Sequence, residues 1–134
     1  MGRIVLNKLK YLIPPLAIAI MIFIVSAQSN IKIPDLGISI EDKILHILAY
    51  LVFGLTLVYS ISGISTDISR RKLFVLLVAI GGLYALSDEL HQYYVPGRES
   101  DIVDILADIT GIIISFFVYP LILKFIKLFE KTNV

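Results

Sequence analysis

The sequence predicts an all-α membrane protein, a single-domain four-helix transmembrane bundle. Hydrophobic residues make up 57% of the 134 residues, and the mean hydropathy is +0.89. Both values exceed the usual range of soluble domains. The chain also has four apolar segments of about the length that a ~30 Å hydrocarbon core requires, roughly 20 residues with ~17 as a lower limit. Lipid cannot satisfy the open edges of a sheet, so each span is predicted to be a helix.

The predicted spans are residues 11–27, 44–61, 73–91 and 102–123. In the first, Pro14 and Pro15 suit the opening turn of a helix, where a missing N–H costs nothing. A cleavable signal peptide is the alternative, because basic residues precede the apolar run and Val25-Ser26-Ala27 ends it. The length of the run and the paired prolines favour a retained helix. The third span is long enough only if residues 88–92 continue the helix into the headgroup region.

Lys and Arg residues predict how the spans are oriented. Nine of the 12 fall at the N terminus, in the second loop and after the fourth span, and three fall in the first and third loops. Positive residues favour the cytoplasmic side, so both termini are predicted to be cytoplasmic. The acids follow the opposite pattern. The cytoplasmic cations are Arg3, Lys8, Lys10, Arg70, Arg71, Lys72, Lys124, Lys127 and Lys131, and the outer acids are Asp35, Glu41, Asp42, Asp88, Glu89, Glu99, Asp101, Asp104 and Asp108.

Three of the spans carry polar residues at helical spacing. Residues three or four apart lie on one face of a helix, and small residues at that spacing let helices approach closely. We therefore expect the three faces to turn inward and form a polar pocket near the outer end, not a pore. The faces are Lys43, His46, Tyr50 and Gly54 on the second span, Gly81, Ala85 and Glu89 on the third, and Asp104, Asp108, Gly111 and Ser115 on the fourth.

So many acids in one place require countercharge. Two carboxylates ~5.5 Å apart repel by roughly 3 kcal/mol at an effective dielectric constant of ~20. Lys43 and Arg98 supply two cations. The remainder must come from protonated histidine, protonated carboxyl groups or a bound cation.

Metal binding is left open by the sequence. His46, His91 and Asp108 are candidate ligands of types that suit zinc or manganese, but no compact motif such as H-E-x-x-H is present. Hydrogen-bonded imidazoles are the alternative interpretation. The chain has no cysteine, which excludes disulfides and thiolate ligands. No cofactor is assigned, and a divalent cation remains an open prediction.

An ordered set of short motifs resembles the VanZ-like family of small membrane proteins, over nearly the whole chain. The resemblance implies a bacterial cytoplasmic membrane and an envelope-related role, since the family is named for resistance to the glycopeptide teicoplanin. It implies no reaction. The sequence departs from the family at Asp108, where asparagine is usual, and at Ser115, where glycine is common. The motifs are Ser26-Ala27-Gln28-Ser29, Asp42-Lys43-x-x-His46 with Tyr50, Asp88-Glu89-x-x-Gln92, Pro96-Gly97-Arg98, and Asp104 with Gly111.

Three functions are compatible with these residues. The favoured one is a binding protein whose pocket engages the head of a membrane lipid, a lipid-linked cell-wall precursor or a lipophilic glycopeptide. The second is a membrane-embedded enzyme with Glu89 or Asp104 as acid–base catalyst. The third is a structural or partner-binding subunit whose ion pairs only join helices. Nucleic acid is not expected as a partner, and the oligomeric state is left open. The predicted binding residues are Lys43, His46, Asp88, Glu89, Gln92, Arg98, Asp101, Asp104 and Asp108.

Overall fold

The computed structural model describes residues 8–29, 41–98 and 100–132, apart from the side chain of Glu41. It consists of four helices, and no strand occurs in these ranges. We name them α1 (Ile13–Ser26), α2 (Glu41–Ile64), α3 (Arg70–Tyr93) and α4 (Ile102–Thr132). The all-helical prediction is therefore confirmed. Several residues used for the topology prediction lie outside the described part: Arg3, Lys32, Asp35, Glu99 and the side chain of Glu41.

The helix lengths differ from the predicted spans. Helices α2, α3 and α4 are each long and apolar enough to cross a membrane, and α3 is the continuous 24-residue helix that the prediction required. Helix α1 has only 14 residues, a rise of about 21 Å. Helix α4 runs nine residues past the predicted end at Leu123, and Pro120 lies inside the helix without ending it.

Local sequence explains where two helices begin. Pro14 and Pro15 lie in the first turn of α1, as predicted, and no side chain caps that helix. Helix α3 starts with a conventional cap, in which the Ser69 hydroxyl accepts a hydrogen bond from the Lys72 amide at 3.3 Å.

Helices α2 and α4 approach most closely because small residues face each other. A Cβ on Gly54 would lie 2.8 Å from the Cβ of Ser115. A Cβ on Gly111 would lie 2.8 Å from the Leu51 nitrogen and 3.1 Å from the Tyr50 carbonyl carbon. Helix α3 joins this pair where Ile112 packs against Gly81. The small residues that the sequence placed on the inward faces are therefore the ones that allow the helices to meet.

Helix α1 lies along one side of the bundle, from one end to the other. Five residues before its start, the Lys8 ammonium donates to the Ile64 carbonyl oxygen at 2.9 Å, at the end of α2. At its end, a Cβ on Gly97 would lie 3.3 Å from the Ser29 carbonyl oxygen. Gly97 has a φ of 82°, a conformation that glycine adopts without strain, in the connection between α3 and α4. We call this end of the bundle, where α1 and α3 finish and α2 and α4 begin, the acidic end.

A tyrosine joins α1 to the rest of the bundle. The Tyr84 hydroxyl on α3 donates to the Ala19 carbonyl oxygen on α1 at 2.5 Å. Tyr84→Phe keeps the ring contacts with Tyr50 and Phe53 and removes only this bond. We expect a loss of about 1 kcal/mol in the free energy of unfolding, together with faster amide hydrogen exchange in α1. Unfolding by dodecyl sulfate in micelles and exchange read by mass spectrometry test this prediction.

The control is Tyr94→Phe, since Tyr94 is 73% exposed and forms its ring contact with Tyr93. It should leave both measurements unchanged. Equal exchange in α1 for wild type and Tyr84→Phe would show that the hydroxyl does not hold this helix.

Candidate functional site

The first part of the site is an ion-pair cluster at the acidic end. The Lys43 ammonium on α2 contacts Asp104 on α4, and it lies 2.9 Å from Asp101 and 3.7 Å from Asp42. Asp101 precedes α4, and its other oxygen accepts a bond from the Val103 amide at 2.9 Å. The Val103 amide and Lys43 together lower the pKa of Asp101, since both favour the charged carboxylate. Lys43 therefore compensates the charge at the starts of both helices.

One turn deeper, a histidine bonds to a further acid, Asp108, and lies near Asp104. His46 Nδ1 lies 2.9 Å from Asp108 Oδ1, and His46 Nε2 lies 3.9 Å from Asp104 Oδ2. Asp108 is fully buried, at 0% exposure. The first distance is that of a hydrogen bond and the second is too long for one. Asp108 therefore orients the imidazole and aims its other nitrogen towards Asp104.

Helix α3 adds two acids that bond in different directions. Glu89 Oε2 accepts from the Asp101 amide at 2.9 Å, which ties the end of α3 to the start of α4. Asp88 Oδ2 accepts from the Tyr50 hydroxyl at 3.4 Å and from Gln92 Nε2 at 3.2 Å. The polar side chains of α2, α3 and α4 thus meet at the acidic end.

A metal ion is geometrically compatible with one group in this cluster. One ligand atom each from Asp42, His46 and Asp104 lies within 4.8 Å of the other two. The Lys43 ammonium already contacts Asp104 and lies 3.7 Å from Asp42, so a metal ion would compete with it for these carboxylates. His91 lies elsewhere, with its ring stacked on Phe23 of α1 at 4.4 Å.

A cavity of about 320 Å³ lies beside the ion-pair cluster, bounded by α1, α2 and α3. Its walls are largely apolar, and Met21, Val25, Leu45 and Val52 both line it and are exposed. The cavity is therefore open sideways between α1 and α2, where acyl chains would lie in a membrane. Its polar lining comes from the acidic end: Ser26, Asp42, His46, Asp88, Gln92 and Arg98.

The predicted site residues thus divide into those that line the cavity and those that do not. Lys43, Glu89, Asp101, Asp104 and Asp108 bond to one another or to His46, and none of them lines the cavity. The expected pocket shared by helices two, three and four is filled by its own ion pairs. The cavity instead borders α1, which sequence reasoning did not assign to the site. Glu89 and Asp104, the candidate acid–base residues, belong to the group that is bonded internally.

Three polar atoms around the cavity stand out because each is buried and has no hydrogen-bond partner among the residues that the structure describes. They are Ser26 Oγ, Asp88 Oδ1 and Arg98 Nε. Arg98 also forms no ion pair with any described residue. Buried polar groups are usually bonded, so each such atom calls for a physical explanation.

The predicted binding residues did not include three polar lining residues, Ser26, Asp42 and Tyr50. Tyr50 was placed on the inward face but not in the site, and it is 1% exposed with its hydroxyl directed to Asp88. Ser26 appeared only within a family motif, and it is 3% exposed. The motif was the available signal for Ser26, since a serine that ends an apolar helix otherwise looks like a simple helix terminus.

Comparison with known proteins decides the family. The VanZ/LLP1 family model matches residues 5–124, which is most of the chain. The chain belongs to the VanZ/LLP1 family. The ordered motifs that suggested this resemblance all fall within the matched range. The family is linked to glycopeptide resistance by its name, and the match assigns no reaction.

A VanZ/LLP1 chain of this kind also has a eukaryotic relative. This chain is 34% identical over 97 residues to the Schizosaccharomyces pombe protein called Uncharacterized protein C11E3.10. The alignment covers 72% of this chain and 56% of the yeast protein, so the chain spans about half the length of this relative. No solved structure matches the chain. Because the relative comes from yeast, a bacterial setting does not follow from the similarity.

Proposed function

We propose that this VanZ/LLP1 protein binds an amphiphile, with the polar head at the acidic end of the cavity and the apolar tail between α1 and α2. The candidate ligands are a membrane lipid, a lipid-linked cell-wall precursor and a lipophilic glycopeptide such as teicoplanin. In the proposed orientation the acidic end faces outward and both termini are in the cytoplasm of a bacterium, as the distribution of Lys and Arg favours.

The main support for this proposal is the lack of a described hydrogen-bond acceptor or ion-pair partner for Arg98. Its side chain lines a largely apolar cavity, and in the described part of the chain its Nε atom is buried without an acceptor and no carboxylate pairs with it. A guanidinium binds phosphate or carboxylate through two parallel hydrogen bonds. An anionic head group would therefore supply the missing acceptor.

The shape of the cavity supports the same conclusion. Pockets that bind small molecules are largely apolar, with a few polar groups that fix orientation. Here the exposed apolar walls on α1 and α2 continue into the region that acyl chains occupy, and the polar groups lie at one end. A head group with an attached chain fits this division better than a free polar solute does.

Arg98→Ala tests the proposal. We expect about 30-fold weaker binding of a short-chain phosphatidylglycerol, equivalent to about 2 kcal/mol for a lost charge-assisted hydrogen bond. Native mass spectrometry of the purified protein in detergent measures it. Arg98→Lys should give an intermediate loss, since lysine keeps the charge but not the planar fork.

Arg71→Ala is the matched control, because Arg71 is exposed at the opposite end of the bundle. It should bind the lipid as wild type does. In a bacterial host that the protein protects against teicoplanin, Arg98→Ala should also remove the protection while the protein remains present in the membrane. Wild-type lipid binding and wild-type resistance in Arg98→Ala would reject the proposal in favour of a purely structural cluster.

A further inference from the structure

We propose that the head group bound in this cavity is zwitterionic, with an anionic phosphate at Arg98 and a primary ammonium at Asp88. The inference rests on the proposed function and names the ligand class more narrowly. The zwitterion assignment depends on a second buried charged group in the cavity, the Asp88 carboxylate. Binding of a lipid phosphate at Arg98 alone does not explain this group.

Asp88 is a carboxylate with one oxygen bonded and one oxygen free. It is 4% exposed. Its Oδ2 atom accepts from Tyr50 and Gln92, whereas its Oδ1 atom is buried and has no hydrogen-bond partner in the described ranges. A buried acceptor without a donor costs free energy, more so when it is charged. A ligand that donates a hydrogen bond to Oδ1 removes this cost.

The cations that the structure describes do not compensate Asp88. No described Lys, Arg or His side chain forms an ion pair with it. Lys43 is bonded to Asp101 and Asp104 and does not line the cavity. His46 lines the cavity, but its Nδ1 atom is bonded to Asp108. Among the residues that the structure describes, none supplies the positive charge that Asp88 lacks, and a bound ligand can supply it.

Arg98 lines the same cavity and does not pair with Asp88. Within the described ranges, one cavity thus contains a guanidinium without an anionic partner and a carboxylate without a cationic partner. A phosphate joined to a primary ammonium satisfies both at once. A singly charged anionic head satisfies only Arg98 and brings negative charge near Asp88.

Ser26 lies on the α1 side of the same cavity, and its buried hydroxyl also has no hydrogen-bond partner in the part of the chain that the structure describes. A hydroxyl both donates and accepts, so it can bond an ester or phosphate oxygen of the ligand. With it, each of the three partnerless atoms around the cavity has a counterpart on a phospholipid with an amino head group.

The first test uses wild-type protein and changes only the lipid. Phosphatidylethanolamine, phosphatidylcholine and phosphatidylglycerol with identical short acyl chains are added in turn to the protein in detergent, and binding is measured by native mass spectrometry. We expect phosphatidylethanolamine to bind about 10-fold more tightly than either of the others. Phosphatidylcholine carries a positive charge but no N–H, so it separates hydrogen bonding to Asp88 from simple charge.

The second test uses Asp88→Asn, which keeps the shape of the side chain and removes its charge. We expect the preference for phosphatidylethanolamine over phosphatidylglycerol to fall from about 10-fold to about 1-fold. Asp67→Asn, in the exposed connection between α2 and α3, should keep the wild-type preference. An unchanged preference in Asp88→Asn overturns the inference.

The outcomes separate this inference from the proposed function. Equal binding of all three lipids, with each weakened by Arg98→Ala, overturns the zwitterion assignment and leaves amphiphile binding intact. Binding of all three lipids that Arg98→Ala does not change overturns the proposed function itself. Because the comparison of lipids requires no variant, the inference can be rejected even if Asp88→Asn does not fold.

Discussion

Replacing Gly111 with alanine is expected to destabilise the folded protein by about 3 kcal/mol, at the upper end of the range for overpacked cores. The added Cβ would contact the Ile47 carbonyl oxygen and would lie 2.8 Å from the Leu51 nitrogen. Both atoms belong to the backbone of α2, so no side-chain rotation relieves the overlap. Helices α2 and α4 would have to separate where they pack most closely.

Gly82→Ala is the control for this prediction, because a Cβ at Gly82 meets nothing within 4 Å. Alanine is the better helix former by about 1 kcal/mol, so Gly82→Ala should be neutral or slightly stabilising. Unfolding by dodecyl sulfate, followed by circular dichroism in micelles, compares the two variants. Equal stability of Gly111→Ala and wild type would mean that α2 and α4 do not meet at Gly111.

Removing Lys43 is expected to cost about 3 kcal/mol of stability, the lower end of the range for breaking a buried ion pair. Asp104 is nearly fully buried, and Lys43 is the cation that contacts it. Lys43→Ala leaves that carboxylate without its countercharge at the interface of α2 and α4. The effect is placed at the lower end because the Lys43 side chain is itself 26% exposed. The same unfolding titration measures it.

A double variant distinguishes two contributions to the lost stability. One is the loss of the ion pair itself, and the other is the cost of leaving the buried Asp104 carboxylate without a countercharge. Lys43→Met with Asp104→Leu removes both charges and should recover part of the stability that Lys43→Ala loses, because no uncompensated carboxylate then remains at position 104. Lys127→Ala, at an exposed position on α4, should have no effect. A double variant less stable than Lys43→Ala would show that the pair contributes more than the compensation of one buried charge.

The Lys43→Ala variant also tests whether Lys43 belongs to the binding site. Lys43 was predicted to bind the ligand together with Arg98, and lipid binding by the Lys43→Ala variant tests that role. Because Lys43 does not line the cavity, we expect the folded fraction of Lys43→Ala to bind phosphatidylglycerol as wild type does. Arg98→Ala should show the reverse, with weaker binding and little change in stability.

Much of the fold was accessible from the sequence because the membrane imposes simple rules. Apolar length gave the four helices, since lipid leaves the backbone few other ways to satisfy its hydrogen bonds. The four-residue spacing of Gly111 and Ser115 on α4 indicated the face that packs against α2. The helix ends were less accurate. Polar residues such as Lys124 and Lys127 suggested an end near Leu123, yet a helix continues past the apolar region when its backbone bonds can still form.

The candidate site was predictable only in part. The sequence grouped His46, Asp88, Gln92 and Arg98 at one end of the bundle, because helical spacing and the order of the loops determine that end, and all four line the cavity. Ser26 appeared only within a family motif and was not included in the predicted site. The contribution of α1 depends on how that helix lies against α2 and α3, which Tyr84 and Lys8 hold in place through bonds to backbone carbonyls distant in sequence.

By itself, the sequence determined the membrane class, the helical architecture and the polar faces that turn inward, because these follow from hydropathy and a fixed helical period. Only the tertiary structure decided which charges neutralise one another. Lys43 bonds to Asp101 and Asp104, whereas Arg98 and Asp88 form no ion pair with any described residue and lie beside a cavity that α1 completes. The physical reason is that pairing depends on how the helices are rotated and offset against one another, to within the few ångströms over which hydrogen bonds form.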